Sequence, residues 1–319
     1  MADLERRRLG AGGPEVTVLG FGAMELRGTA HRSPRPLEED VAAEVLRTVL
    51  DEGITFIDTS IDYGLSEERI GRHIGTRRSE YVLASKAGCP LAHQPDAPPT
   101  GPLKHDYSPA NIRAGVEQSL RRLGTDYLDL VQLHISPSLE VLRRENVLQT
   151  LSALREEGKV KALGVSSTLP ELDDHLDIDE FSAFQVPFSA LEREVESRIG
   201  LAAERGFGIV VRGGVAQGGK REKRTADGKP IEWAGTGLDE LRDGDTEQGF
   251  LLRYAMATPG VTTVIVGTAD PAHVRSNVAA ARRGPLPADL YAEAQRTLDA
   301  AGITVAALRG SRPAQPPDA

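Results

Sequence analysis

Residues 56–71 read FIDTSIDYGLSEERIG. An apolar run ends in a carboxylate, Asp58. A phenol, Tyr63, follows in a glycine-containing turn, and Ser66, Glu67 and Glu68 then open a helical pattern. A short β-rich run passing through a turn into an amphipathic helix is one βα unit. Ser66 is expected to be the N-cap, with the two acids in the first turn.

The same unit recurs along the chain. Strand patterns fall at 18–24, 55–60, 81–88, 128–135, 160–167, 182–189, 208–214 and 261–267. Helix patterns follow at 38–53, 66–74, 108–124, about 142–157, 170–177, 192–205, 247–257 and 271–281, with a last one over 287–301. The helix at 108–124 carries its own punctuation: Ser108 as N-cap, Pro109 at the first position and Gly124 as terminator. Repeated βα alternation predicts parallel strands with helices outside. Eight units in about 250 residues predict a closed (β/α)8 TIM barrel rather than an open sheet. The segment RRRLGAGGPEVTV ahead of the first unit is expected to form a β-hairpin at the barrel bottom, and the 287–301 helix is an addition at the C-terminal end. No domain boundary is visible, so residues 1–319 are expected to form a single barrel domain with a disordered, Pro-rich tail over about 308–319. An open dinucleotide-binding sheet would need G-x-G-x-x-G. The nearest match, GFGAME, has Gly20 and Gly22 but Glu25 where the third glycine must allow close helix packing.

Composition excludes several function classes. With 38 Lys+Arg against 47 Asp+Glu the net charge is −9, without the basic footprint of a nucleic-acid binder. The cluster Arg6-Arg7-Arg8 reads as solvated surface. One cysteine, Cys89, permits no intramolecular disulfide and fits a reducing compartment. There is no apolar signal-like core at the N-terminus, and no apolar run nears the roughly 18 residues of a membrane helix. The expectation is a soluble, cytoplasmic protein with no membrane or nucleic-acid partner. Nothing in the sequence fixes its oligomeric state.

In such a barrel, catalytic groups sit at the C-terminal ends of strands. The second strand ends at Asp58 with Tyr63 beyond it, the third at Lys86 and the fourth at His134. Residues two back, Phe56, Ala84 and Gln132, share the inward face. Together the four suit carbonyl chemistry. Asp58 holds Lys86, whose ammonium is expected to lower the pKa of the Tyr63 phenol, and His134 orients a carbonyl oxygen. The result is a general acid aimed at that oxygen.

With these stretches in place, the sequence resembles the aldo-keto reductase family over roughly residues 8–300. The resemblance is carried by LGFGAM, FIDTSIDYGLSE, LASKAG, IRAGVEQSLRRLGTDYLDLVQLH, KVKALGVSS and FQVPFS. It implies NADP(H) bound across the C-terminal face, with NAD as the alternative, and a small carbonyl or alcohol as substrate. It also implies Tyr63 as proton donor, supported by Asp58, Lys86 and His134. Among cofactor-binding positions it places Gly22 and Met24 on the first stretch. Ser166 and Gln185 match residues that hold the nicotinamide carboxamide, and Ser167 stands where the family carries Asn. After the seventh strand Arg212, Gly213, Gly214 and Gly218 replace the commoner Ser-Pro-Leu and suit a pyrophosphate. After the eighth strand Gly267, Thr268, His273 and Asn277 occupy the region of the 2′-phosphate, with little basic character.

Two other readings compete. One is a nucleotide-holding redox sensor or regulatory subunit with little turnover. The other is a cofactor-free lyase using Lys86 as a Schiff-base nucleophile. No close-spaced histidine pair reads as a metal site, and Cys89 reads as a packing residue. Trp233 in the 215–245 loop fits either a pocket wall or a loop anchor.

Overall fold

The computed structural model describes residues 3–28, 35–91, 104–215, 233–242, 244–306 and 308. Gly218 and nearly all of the C-terminal tail lie outside them. Among the described residues the elements run β1 (Arg6–Arg8), β2 (Glu15–Thr17), β3 (Leu19–Gly22), α1 (Glu39–Asp51), β4 (Phe56–Asp58), α2 (Ser66–Ile74) and β5 (Val82–Ala87). There follow α3 (Pro109–Leu123), β6 (Leu128–Leu133), α4 (Leu139–Arg144), α5 (Val147–Glu156), β7 (Val160–Ser166), α6 (Glu171–His175) and β8 (Ala183–Pro187). The chain continues with α7 (Glu196–Glu204), β9 (Gly208–Arg212), α8 (Glu247–Ala257), β10 (Thr263–Val266), α9 (Pro271–Arg282) and α10 (Ala288–Ala300). β3 to β10 form a closed parallel barrel in chain order, with β10 pairing β3. β1 and β2 form the separate antiparallel hairpin. The (β/α)8 barrel, the hairpin and the extra helix α10 are therefore as expected. No helix among the described residues is long and apolar enough to cross a membrane.

Strand parity builds the interior. Phe56, Ala84, Leu130, Ala183, Val210 and Ile265 pack together inside the barrel, and Leu9 and Val16 of the hairpin join them from below. The alternate residues, such as Ile57, Leu83, Val131 and Val165, face the helices and join the larger outer core. The hairpin is tied down at the start of the strands. Ala11 N donates to Gly206 O at 2.8 Å. A Cβ on Gly10 would come within 2.7 Å of Ser182 O, so only glycine fits there.

Local signals explain several boundaries. Ser108 accepts from Asn111 N, Pro109 begins α3, and Gly124 (φ 64°) ends it in the left-handed conformation. Two expectations are corrected. Ser66 is the first helical residue of α2 rather than its N-cap, which is Leu65. Its hydroxyl instead donates to Ala23 O at 2.9 Å and meets Thr59 Oγ1 at 2.9 Å, stitching α2 to the end of β3. The helix expected over 142–157 is two helices, broken where Asn146 turns left-handed at φ 50°. Asparagine tolerates that conformation, and periodicity does not register the kink. Trp233 anchors its loop: Nε1 donates to Asp239 Oδ1 at 2.9 Å, and the ring meets Phe250 edge-on at 5.8 Å.

Candidate active site

One layer above the apolar interior, the inward positions turn polar. Asp58 on β4, Lys86 on β5 and Gln132 on β6 follow the parity of Phe56, Ala84 and Leu130. Lys86 Nζ donates to Asp58 Oδ1 at 2.5 Å and to Thr59 O at 3.1 Å. Gln132 Nε2 donates to the same Asp58 oxygen at 2.8 Å. Lys86 and Asp58 are 1% and 2% exposed, so each charge depends on the other for its place in the core.

Tyr63 lies directly above this pair. Lys86 Nζ is 6.0 Å from its ring centroid, and the His134 ring meets it edge-on at 6.0 Å. Expectation and structure part on the phenol's acidity. Although Tyr63 is partly accessible from the mouth, burial pushes its pKa well above the ordinary value, and Asp58 and Asp62 push the same way. Arg212 pulls against them. Lys86, ion-paired with Asp58, does not bring the phenol's pKa down in the resting protein. The phenol is thus held firmly protonated. His134 is pushed down to about 3, chiefly by burial, with Lys86, His105 and Arg212 adding and Asp62 opposing. It is a neutral imidazole throughout the physiological range.

The segment carrying His134 is bent. Ile135 and Ser136 take positive φ values of 61° and 31°. For a β-branched residue that conformation is costly. Tyr107 holds it: its single hydroxyl proton is shared between His134 O and, at 2.9 Å, Ile135 O. The Tyr107 ring packs on Gly88, where a Cβ would come within 2.4 Å of it. Removal of that hydroxyl by Tyr107→Phe is expected to cost about 0.5–1.5 kcal/mol, the net worth of one hydrogen bond. Urea unfolding and amide exchange at 134–136 would report it. Unchanged stability together with unchanged exchange would refute the clamp.

The remaining sequence candidates line the same face. Ser166 pairs with Gln185 across β7 and β8. Gln185 is 2% exposed and its Nε2 has no hydrogen-bond partner. A buried amide left without a partner is costly unless something else fills the role. Ser167, by contrast, is turned to the scaffold. His175 Nε2 donates to Pro137 O at 2.6 Å, so its Nδ1 accepts the Ser167 hydroxyl at 2.8 Å. Gly22 and Gly267 approach closely: a Cβ on Gly267 would lie 2.7 Å from Gly22 O. Gly213 takes φ 74°, and a Cβ on Gly214 would strike Val264 at 2.5 Å. Thr268 Oγ1 accepts from Asp270 N at 3.1 Å and meets His273 Nδ1 at 3.4 Å, just ahead of α9. Asn277 lies two turns into α9, and Met24 is half-exposed on the turn after β3. The orphan Gln185 amide leaves a buried donor that a polar group of a bound nicotinamide cofactor would satisfy, whereas the close approaches at Gly267 and Gly214 are met by the barrel's own atoms.

The sequence alone assigns no role to Asp62 or Tyr107 and casts Cys89 as a packing residue. Asp62 is fully buried beside Tyr63, with Oδ1 3.6 Å from His134 Nδ1. Its adjacency to Tyr63 was the available signal. Tyr107 carried none, because its partners lie 27 and 28 residues away. Cys89 and His105 converge on His134, a gathering that neither residue's position in the sequence announces.

Similarity to known proteins extends over most of the chain. The family model described as the aldo/keto reductase family matches residues 18–299. The uncharacterized oxidoreductase YqkF of Bacillus subtilis is 30% identical over 300 residues, 87% of this chain and 91% of that protein. An aldo-keto reductase from Bacillus halodurans, solved in its holo form, superposes with a TM-score of 0.78 at 30% identity, covering 92% of this chain and 96% of that one. An aldo/keto reductase from Klebsiella pneumoniae, solved with NADP and acetate, gives 0.71 at 25% identity, covering 92% and 95%.

Proposed function

The chain belongs to the aldo/keto reductase family, a family of oxidoreductases, and from that premise we propose that it uses NADP(H) to interconvert a small aldehyde or ketone and the corresponding alcohol, with Tyr63 as the proton donor. The observation that carries the reading is the buried Lys86–Asp58 pair lying beneath Tyr63, with His134 alongside at the same mouth.

When bound, the nicotinamide supplies or accepts the hydride at the substrate's carbonyl carbon. The chain's own work is to handle the proton and the oxygen. In the reductive direction Tyr63 gives its phenolic proton to the carbonyl oxygen. A phenol held well above its ordinary pKa keeps that proton until negative charge develops on the substrate. Lys86 then offers the nearest ammonium to the phenolate left behind. Asp58 and Gln132 fix Lys86 so that it needs no rearrangement at that moment. His134, being neutral, orients the carbonyl oxygen by a hydrogen bond rather than by charge. Gln185 and Ser166 are the side chains that would set the nicotinamide face. Arg212, Gly213, Gly214, Gly22 and Gly267 would receive the phosphates, with Thr268, His273 and Asn277 near the adenosine end.

The test is a titration of the purified protein with NADPH and, separately, NADH, followed by quenching of protein fluorescence. Saturable binding is expected, with NADPH tighter by about tenfold, equivalent to about 1.4 kcal/mol. Equal affinity would remove the NADP preference. Failure of both nucleotides to bind would sink the proposal.

A further inference from the structure

Cys89 follows β5, His134 follows β6, and His105 comes from the loop ahead of α3. Their ligand-capable atoms all lie within 4.8 Å of one another. Cys89 Sγ is 3.1 Å from His134 Nδ1 and 3.9 Å from His105 Nε2. The two imidazoles meet edge-on with centroids 5.3 Å apart. We propose that Cys89, His105 and His134 form a binding site for a thiophilic divalent cation of the zinc type at the barrel mouth.

The spacing suits one ion. A tetrahedral centre with a metal–sulfur bond near 2.3 Å and metal–nitrogen bonds near 2.0–2.1 Å sets its sulfur and nitrogen ligands about 3.5 Å apart. The two observed sulfur–nitrogen distances bracket that value, and the two nitrogens, within 4.8 Å of each other, draw together toward about 3.3 Å on a shared ion. Cys89 and His105 come from the two ends of the one connection between β5 and α3. The His105 ring also stacks on Tyr107 with centroids 6.0 Å apart, which holds it where it can serve as a ligand beside Cys89 and His134. Asp62 Oδ1, 3.6 Å from His134 Nδ1, adds negative charge on the side where a cation would sit. One thiolate and two imidazoles favour zinc or cobalt over magnesium or calcium, which need oxygen ligands. Binding displaces the thiol proton of Cys89 to solvent, and the imidazoles bind neutral. Three protein ligands leave a fourth position for water or a substrate oxygen. The site stands on this geometry alone and does not depend on the oxidoreductase reading.

The experiment is a titration of chelator-stripped, full-length protein with Co²⁺ in the absence of nucleotide. One equivalent is expected to bring a sulfur-to-cobalt charge-transfer band and the intense visible absorption of a tetrahedral centre, both bleached by one equivalent of Zn²⁺. Cys89→Ser is expected to abolish the band. His105→Ala, in a half-exposed loop position, is expected to weaken binding by more than about tenfold, the least that losing even an outer-sphere partner costs. No thiolate band in the wild-type protein would overturn the site. So would an undiminished affinity in His105→Ala. Either result would leave nucleotide binding, measured separately, untouched.

Discussion

Replacing Tyr63 by phenylalanine is expected to lower kcat by about 10²–10⁴-fold on any carbonyl substrate the wild-type protein reduces, the usual worth of a positioned general acid. Affinity for NADPH should change little, because the substitution removes one oxygen and keeps the ring. The edge-on contact with His134 survives it, so the mouth should keep its shape. The effect therefore separates chemistry from binding: kcat falls, and the nucleotide titration curve stays where it was. A Tyr63→Phe enzyme that turns over at the wild-type rate would remove the proton-donor role and with it the proposed mechanism.

The second large effect lies beneath the phenol. Lys86→Met leaves the Asp58 carboxylate buried with only Gln132 as a hydrogen-bond partner among the contacts described above. Removing one member of a buried ion pair costs about 3–5 kcal/mol, because the other charge stays in the core uncompensated. Urea unfolding should show a midpoint displaced to lower denaturant with an unchanged slope. The double replacement Asp58→Asn with Lys86→Met should recover much of that loss. The amide oxygen that replaces the carboxylate can still accept from Gln132, and no charge remains to be desolvated. Activity should be lost in both proteins. If the double replacement is no more stable than Lys86→Met, the loss comes from packing rather than from the stranded carboxylate.

Much of this molecule could be read before folding, and what escaped has a common cause. The eight βα units were visible because parallel strands covered on both faces leave compact apolar runs, and the helices between them carry their own caps, as Ser108, Pro109 and Gly124 show. The convergence of Asp58, Tyr63, Lys86 and His134 was visible because strand order equals chain order in a barrel, so strand ends lie side by side. Ser66 misled because a serine before acids has two uses, and a tertiary acceptor, Ala23 O, outcompeted the cap. The acidity of Tyr63 misled because burial of the phenol, and after it the nearby Asp58 and Asp62 charges, raise its pKa, and neither is set by residue type alone. Tyr107, Asp62 and the meeting of Cys89 with His105 depend on loop conformations, and loops carry no period from which to read them.

The hairpin at the barrel floor also has a consequence in time. Leu9 and Val16 complete an interior whose other members reach as far along the chain as Ile265. Arg7 Nη1 donates to Met256 O at 2.9 Å and to Val261 O at 2.6 Å. The acceptors of the Arg7 guanidinium follow it in the chain by 249 and 254 positions. At about 5–20 residues per second, that interval is about 10–50 s. Throughout it the nascent barrel has no closing strand, and the hairpin's contacts with Met256, Val261 and Ile265 wait until β10 docks on β3.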